Sequence, residues 1–346
     1  MRSHKGVFCG HQKTPLCDTI KNTMIERFTV RMLKEAAEAV GAACVVEPNF
    51  GHVGYIEAKE KNADAKRFYF KLSALDVNAF AASKIAIDKE YTQYFLQKFG
   101  YSTIPTEVFF SDEWCAVNDT KNNLAAAVAY VNKVGYPRIV KPNSKSQGRG
   151  VAKVYSESEL RMALTEIFLI DNIALIQPFI RGTDYRIVVY KDRVMMAYSR
   201  SPLTITGDGA RTVRELLPIQ NISLPVVEVR LKREYNFSLD SIPHVGQVVQ
   251  LLDNANLSTG GTALEVTEIL HKDTKELVVR AVHDLGLTFA GVDILTTDDI
   301  TKPMLEYVIV EVNAMPGLEH YASLGTTQLI RVRSLYEEIV KDAVNP

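Results

Sequence analysis

The chain has 346 residues, 47% apolar and 23% charged, with a net charge of −1. That is enough for two or three globular domains, and it makes no electrostatic case for nucleic acid or an acidic membrane surface as a partner. No apolar run approaches the roughly 18 residues of a membrane span, and MRSHKGVFCGHQKTPLCD at the N-terminus lacks the unbroken apolar stretch of a signal peptide.

The four cysteines, Cys9, Cys17, Cys44 and Cys115, form no C-x-x-C pair. They read as reduced thiols of a cytoplasmic protein. Cys9, His11 and Cys17 do not have the spacing of a zinc site.

In chain order, RFTVRMLKEAAEAVG (27–41) places Phe28, Met32, Leu33, Ala36, Ala37 and Val40 on one helical face, with Gly41 as a stop. AACVVEP and KRFYFKL (66–72) follow as strands of a small α/β domain, and the polar stretch 51–65 shows no period. IDKEYTQYFLQKFG (87–100) is a helix with Asp88 as its N-cap and Gly100 past its end. A helix over 122–137, the strand RIVKP (138–142), a helix opened by the capping pattern SESE (156–159), and the strand IALIQPFI (173–180) come next. Residues 185–199 read as a hairpin turning at KDR, and GDG (207–209) as a turn before a short helix. Weak periodicity over 221–250 suggests an insert or a lid. ALEVT (263–267), a helix over 274–286, FAGVDILTT (289–297), YVIVEVNAMPG (307–317) and a long amphipathic terminal helix complete the alternation, with no internal repeat.

The apolar strand at 307–313 carries Glu311 and Asn313 where it stops. Side chains alternate along a strand, so these two share a face. A carboxylate and an amide there suit a hard cation such as magnesium, and equally suit the exposed end of an edge strand. Asp293 is a lone acid in a second apolar strand. It reads as a third oxygen ligand or as a buried acid paired with a lysine or arginine. KPNSKSQGRGV (141–151) delivers Lys141 from a strand into a loop with Gly148 and Gly150. Such a loop can wrap phosphate with backbone N–H groups, though a solvated hairpin tip looks the same, and it is neither a Walker A loop nor a dinucleotide fingerprint. Lys89 lies just after a helix cap, where it would hold an anion or simply be solvated. NLSTGGT (256–262) reads as an anion nest or a turn, and Arg186 and Arg200 as a carboxylate or phosphate fork or as surface residues of a hairpin.

Taken together and in order, AIDKEYTQYFLQKFGYSTIP, IVKPNSKSQGRGV, IQPFIRGTDYRIVVYKDRV, SRSPLTITGDGARTVREL, NLSTGGTALEVT and GVDIL followed by VIVEVNAMPGL resemble the ATP-grasp superfamily. The resemblance runs over about residues 68–325 and is to the ATP-grasp domain of cyanophycin synthetases and bifunctional glutathione synthetases. It implies an α/β (α+β) ATP-grasp fold: a small N-terminal α/β domain (1–86), a central subdomain with a phosphate-binding lid (87–180) and a C-terminal subdomain with a metal site (181–346), the last two clasping ATP.

The resemblance also implies roles. Lys89 and Lys141 would hold the ATP phosphates, with Ser146, Gln147, Gly148 and Gly150 closing over them. Gln177, Phe179 and Ile180 would line the adenine pocket, and Asp184 would take the ribose hydroxyls. Asp293, Glu311 and Asn313 would bind two magnesium ions, manganese being able to substitute. Arg186 and Arg200 would act with Lys141 in catalysis near the acyl acceptor, and Asn256, Ser258, Gly260 and Gly261 would contact substrate. Relatives more often have Glu where Gln177 stands, and many have His where Gln147 stands. The Mur-ligase-like second half of cyanophycin synthetases and the glutamate–cysteine ligase half of the bifunctional glutathione synthetases have no counterpart here, so the expectation is a stand-alone cytoplasmic ligase, a homodimer or homotetramer, joining an amino acid or short-peptide carboxylate to an amine. A small-molecule kinase of the same fold and a nucleotide-binding regulatory module are the alternatives. Glu319, His320 and Tyr321 would line the acceptor pocket or only pack.

Overall fold

A computed structural model describes residues 26–59, 66–146, 148–218 and 222–344. Cys9, His11, Cys17 and Gln147 lie outside the described residues.

Helix α1 (Phe28–Ala39) buries Val30, Met32, Leu33, Ala36 and Ala37, close to the stripe its spacing predicts. It lies by an antiparallel sheet ordered β1 (Ala42–Val46), β2 (Val53–Ala58), β3 (Phe68–Lys71) and β4 (Ala74–Leu75). Strand β2 occupies part of the stretch expected to be irregular. Gly54 interrupts its side-chain pattern because a Cβ there would stand 2.3 Å from the Val45 carbonyl oxygen.

Helices α2 (Phe80–Ile87) and α3 (Lys89–Lys98) follow, and the Asp88 side chain accepts from the Tyr91 N–H at 3.0 Å to cap α3. A second sheet contains β5 (Glu107–Phe110), β6 (Arg138–Pro142), β7 (Ala152–Val154) and β8 (Ile173–Pro178) in the order β5-β8-β6-β7. Helix α4 (Asp112–Val117) follows β5, and α5 (Leu124–Val134) and α6 (Glu157–Phe168) close its core around Val128, Val140, Leu160 and Ile176. Ser156 caps α6, but the Glu159 carboxylate reaches the Tyr155 N–H instead of that of Ser156, so half of the expected reciprocal box forms.

The largest sheet contains β9 (Thr183–Tyr190) and β10 (Arg193–Ser201). After it the chain makes β11 (Thr204–Thr206), α7 (Val213–Leu216), α8 (Leu224–Tyr235) and β12 (Val248–Gln250). This excursion has its own core, with Leu203, Val213, Val227, Leu231 and Val249 buried together. Helix α8 buries only Val227, Arg230 and Leu231, a narrow stripe that hides its period. The chain then returns through β13 (Thr262–Glu265), α9 (Lys272–Asp284), β14 (Phe289–Thr296), β15 (Tyr307–Asn313), α10 (Glu319–Ala322) and α11 (Thr326–Val344). The sheet order is β13-β10-β9-β14-β15, and every pair in it is antiparallel.

One face of that sheet packs Ile187, Val189, Val292 and Ile294 into a core with Val278, Ala281 and Val282 of α9. The other packs Val188, Tyr190 and Phe289 with α1 and with Val332, Leu335 and Tyr336 of α11. Helices α2 and α3 add Ala82, Ala86 and Leu96 to the α9 core, so elements cross the borders of the units proposed at 1–86, 87–180 and 181–346. No helix of the described residues is long and apolar enough to cross a membrane. Cys44 and Cys115 are free thiols.

Candidate active site

Alternation along β9 and β14 builds the site. Val188 and Tyr190 enter the α11 core, and on the same face Arg186 and Asp184 continue beyond it. Arg186 stands opposite Tyr198 of β10 and Asp293 of β14, and Asp293 stands opposite Glu311 of β15. A polar row therefore crosses four strands. Arg186 donates through Nη2 to Asp293 Oδ2 at 2.9 Å and through Nε to Oδ1. Arg200 lies 2.7 Å from Asp184 Oδ1 and 3.0 Å from Asp293 Oδ2. Both arginines are thus paired inside the sheet face, not solvated on a hairpin. Burial works to raise the Asp293 carboxyl, and the two guanidiniums overcome it, leaving its pKa below the ordinary range. Burial prevails at Asp184 and raises it despite Arg200.

Strand β15 departs from strict alternation. Ile309 pairs with Ile294 and Glu311 with Asp293, so Val310 forms a bulge. This lets Ile309 and Val312, an odd number of residues apart, both enter the α9 core. Glu311 and Asn313 turn to the opposite, cavity-facing side.

Lys89 is buried, unlike a solvated lysine. Its Nζ donates to the carbonyl oxygens of Asn143 at 3.1 Å and Lys145 at 2.6 Å and lies 3.9 Å from Glu311 Oε2. Asn143 fastens the same loop to helix α3 by accepting from the Glu90 N–H at 3.0 Å. Asp171 accepts from the Ser144 N–H at 2.8 Å and its hydroxyl at 2.7 Å. Lys141 is buried on β6. Loss of hydration lowers its pKa to about 8, Glu311 and Asp293 opposing the shift and Lys89 adding to it.

The glycine loop reaches the segment expected to contact substrate. Gly148 has φ +72°, and a Cβ there would lie 2.3 Å from Asn256 Nδ2. Gly150 stands over Pro142, while Gly260 and Gly261 complete the turn after Asn256, with the Gly261 N–H donating to the Asn256 carbonyl at 3.1 Å. Ser146, Gly148, Asn256 and Ser258 join Lys89, Arg186, Arg200, Asp293, Glu311 and Asn313 around one cavity of about 490 Å³. That size suits a small-molecule site. His320 also lines it, whereas Tyr321 is buried, hydrogen-bonded to Glu265 and stacked 5.1 Å from Tyr198. Glu319 is exposed and does not line it.

The residues expected around adenine lie apart from this lining. Gln177 is buried and donates to the Thr106 hydroxyl at 2.7 Å. Phe179 is partly exposed with Lys153 Nζ 3.4 Å from its ring centre, and Ile180 follows it at half burial. Asp184, expected at ribose, is engaged by Arg200. Asn143 and Asp171 were not singled out in the sequence. A lone Asn or Asp in a loop carries no distinguishing signal until its backbone partners are known.

Glu311 and Asn313 fit a hard cation. Glu311 has a lysine at 3.9 Å and no closer cationic partner among the described residues. Asn313 Nδ2 is buried without a hydrogen-bond partner, and a half-turn of the amide offers its oxygen instead. Asp293 fits less simply, because both its oxygens already accept from arginine. Among the described residues no cluster of three His, Cys, Asp or Glu side chains forms a metal site unaided.

Comparison with known proteins agrees with this architecture. Residues 95–207 match the family described as D-ala D-ala ligase C-terminus, and residues 248–332 match the RimK-like ATP-grasp domain. Cyanophycin synthetase of Nostoc sp. is 31% identical over 72% of the chain and 28% of its own length. Glutathione biosynthesis bifunctional protein GshAB of Enterococcus faecalis is 31% identical over 62% of the chain and 32% of its own. The chain thus spans about a third or less of the curated relatives it matches. A bifunctional glutathione synthetase from Pasteurella multocida superposes with TM-score 0.58 at 22% identity, over 92% of this chain and 44% of that one.

Proposed function

On the premise that this chain has the ATP-grasp fold, we propose that it is an ATP-dependent carboxylate–amine ligase using amino acids or short peptides. One observation carries the reading: buried Lys89, metal-fitting Glu311 and Asn313, and the Arg186–Arg200 pair surround a single cavity beneath a glycine loop. This combination suits phosphoryl transfer, where positioning and charge stabilisation do most of the work.

In the first step a substrate carboxylate oxygen bonds to the γ-phosphorus and the bond from phosphorus to ADP breaks. Lys141 and Lys89 hold the phosphate oxygens, and the loop from Ser144 to Gly150 covers them and excludes water. Magnesium held by Glu311 and Asn313, with Asp293 sharing its carboxylate between the arginines and the metal site, would neutralise phosphate charge. In the second step a neutral amine attacks the acyl carbon, the bond to phosphate breaks, and the nitrogen gives up a proton. Arg200 and Arg186, held by Asp184 and Asp293, orient the reacting carboxyl group. Gln177, Phe179 and Ile180 are assigned to adenine, and Asn256, Ser258, Gly260 and Gly261 to the substrate side.

The test is phosphate release from ATP and Mg²⁺ against amino acids offered singly and in pairs, with product masses read in parallel. Release that needs a pair, with a product equal to the pair minus water, is expected. A product heavier by one phosphoryl group would make the protein a kinase. ATP binding without turnover on any pair would favour a regulatory module.

A further inference from the structure

Helix α3 presents a second residue to the metal strand. Gln93 lies four residues after Lys89, so the two share a helix face. Its side chain is buried, and Nε2 donates to the carbonyl oxygens of Ile309 at 3.2 Å and Val310 at 3.0 Å. These are the carbonyls of the β15 bulge. A bulge takes backbone groups out of the ladder, and buried groups left unpaired are costly. Strand β15 is the last strand of its sheet, and beyond it the backbone meets only an isolated bridge between Thr103 and Ile309, which does not reach Val310. The Ile309 N–H instead donates to the Ser102 carbonyl at 2.9 Å, and Gln93 serves the two oxygens.

Gln93 is left with a buried Oε1 that has no partner. Buried polar atoms are rarely left so, and such exceptions call for a reason. The Val310 carbonyl belongs to the peptide plane that leads into Glu311. Holding that oxygen sets the rotation of the plane and thus the direction of the Glu311 side chain. The same helix carries Lys89, whose Nζ lies 3.9 Å from Glu311 Oε2.

We infer that Gln93 is a positioning residue: it pins the bulge at Val310, aims Glu311 at the cation, and fixes its spacing from the phosphate-holding Lys89. This rests on the proposed role of Glu311 as a metal ligand. Groups that orient metal ligands matter because their loss commonly weakens metal binding by about 10–100-fold. Gln93→Met keeps the length and apolar stem of the side chain but removes both donors.

The experiment is equilibrium binding of ADP across a magnesium series by the full chain, its Gln93→Met and Glu311→Gln variants, and the double variant. Circular dichroism confirms folding. Gln93→Met is expected to raise the magnesium needed for half-maximal ADP binding about tenfold, to leave magnesium-free ADP binding unchanged, and to add nothing in the Glu311→Gln background. Gln93→His, which can keep one N–H donor, should restore part of the loss, and it carries the comparison if the methionine variant does not fold. If Glu311→Gln shifts the magnesium series while the Gln93 variants do not, or if their effects simply add, the inference is overturned and the metal assignment stands. If Glu311→Gln itself leaves the series unchanged, the metal assignment falls and takes the inference with it.

Discussion

Arg186 and Asp293 stand opposite one another on neighbouring antiparallel strands and share two hydrogen bonds, with Arg200 3.0 Å from the same carboxylate. Asp293 thus touches both buried guanidiniums, with Asp184 sharing Arg200. Removing a single member of a buried ion pair leaves charge without compensation. Asp293→Asn should therefore lower unfolding free energy by about 3–5 kcal/mol, measured by urea denaturation. A loss below about 1 kcal/mol, the scale of exposed pairs, would mean that water screens the cluster.

Under the role proposed for Lys141, its burial would make nucleotide binding pH-dependent. Its folded pKa of about 8 lies below its ordinary lysine value. Between those two values the unfolded chain binds more protons, so this group makes stability rise with pH while the cation assigned to phosphate under the proposed function is lost. ADP affinity should fall above about pH 8, at constant free magnesium, by up to about tenfold per unit. Lys141→Arg, which keeps its charge, should flatten that fall. Parallel profiles for the two proteins would dissociate Lys141 from phosphate binding.

Gly148 tests closure of the loop. Alanine there meets Asn256 Nδ2 at 2.3 Å and must adopt a φ of +72°. The left-handed backbone costs about 1–2 kcal/mol. Gly148→Ala should weaken ADP binding severalfold with little change in melting temperature, by calorimetry. Asn256→Ala in the same chain should relieve the steric part only. Unchanged ADP affinity in Gly148→Ala would show that nucleotide does not require this loop geometry.

Asp171 anchors the stem of the same loop through Ser144 and also accepts from the Ile173 N–H at 3.1 Å. Asp171→Ala should raise the KM for ATP about fivefold, on the scale of one lost hydrogen bond of roughly 1 kcal/mol, with kcat less affected. An equal loss in kcat with KM unchanged would place its effect on the chemical step instead.

The strand and helix pattern was legible where local rules suffice. Asp88 caps α3 and Ser156 caps α6, because capping needs only neighbouring residues. The apolar run at β14 marked a strand because it is buried along nearly its whole length, and the run at β15 marked one although only Ile309 and Val312 of it are buried. Strand β2 and helix α8 were hidden, since Gly54 answers to a neighbouring strand and α8 buries only a narrow stripe. At the candidate site, the sequence singled out Lys89, Arg186, Arg200, Asp293, Glu311 and Asn313, which line one cavity, and also Lys141, Gln177, Phe179, Ile180 and Asp184, which do not line it. It left open whether Asp293 meets a cation or an arginine, and the structure pairs it with two arginines.

The sequence alone therefore determined which residue types stand at the ends of which strands, because alternation and capping act over a few residues. Tertiary structure decided their partners. The bulge at Val310, the grip of Gln93 on it, the burial of Lys89 and the approach of Gly148 to Asn256 depend on register and on contacts between segments far apart in the chain. Such contacts leave no period in the sequence, because each joins two unrelated positions only once the sheets and helices have packed.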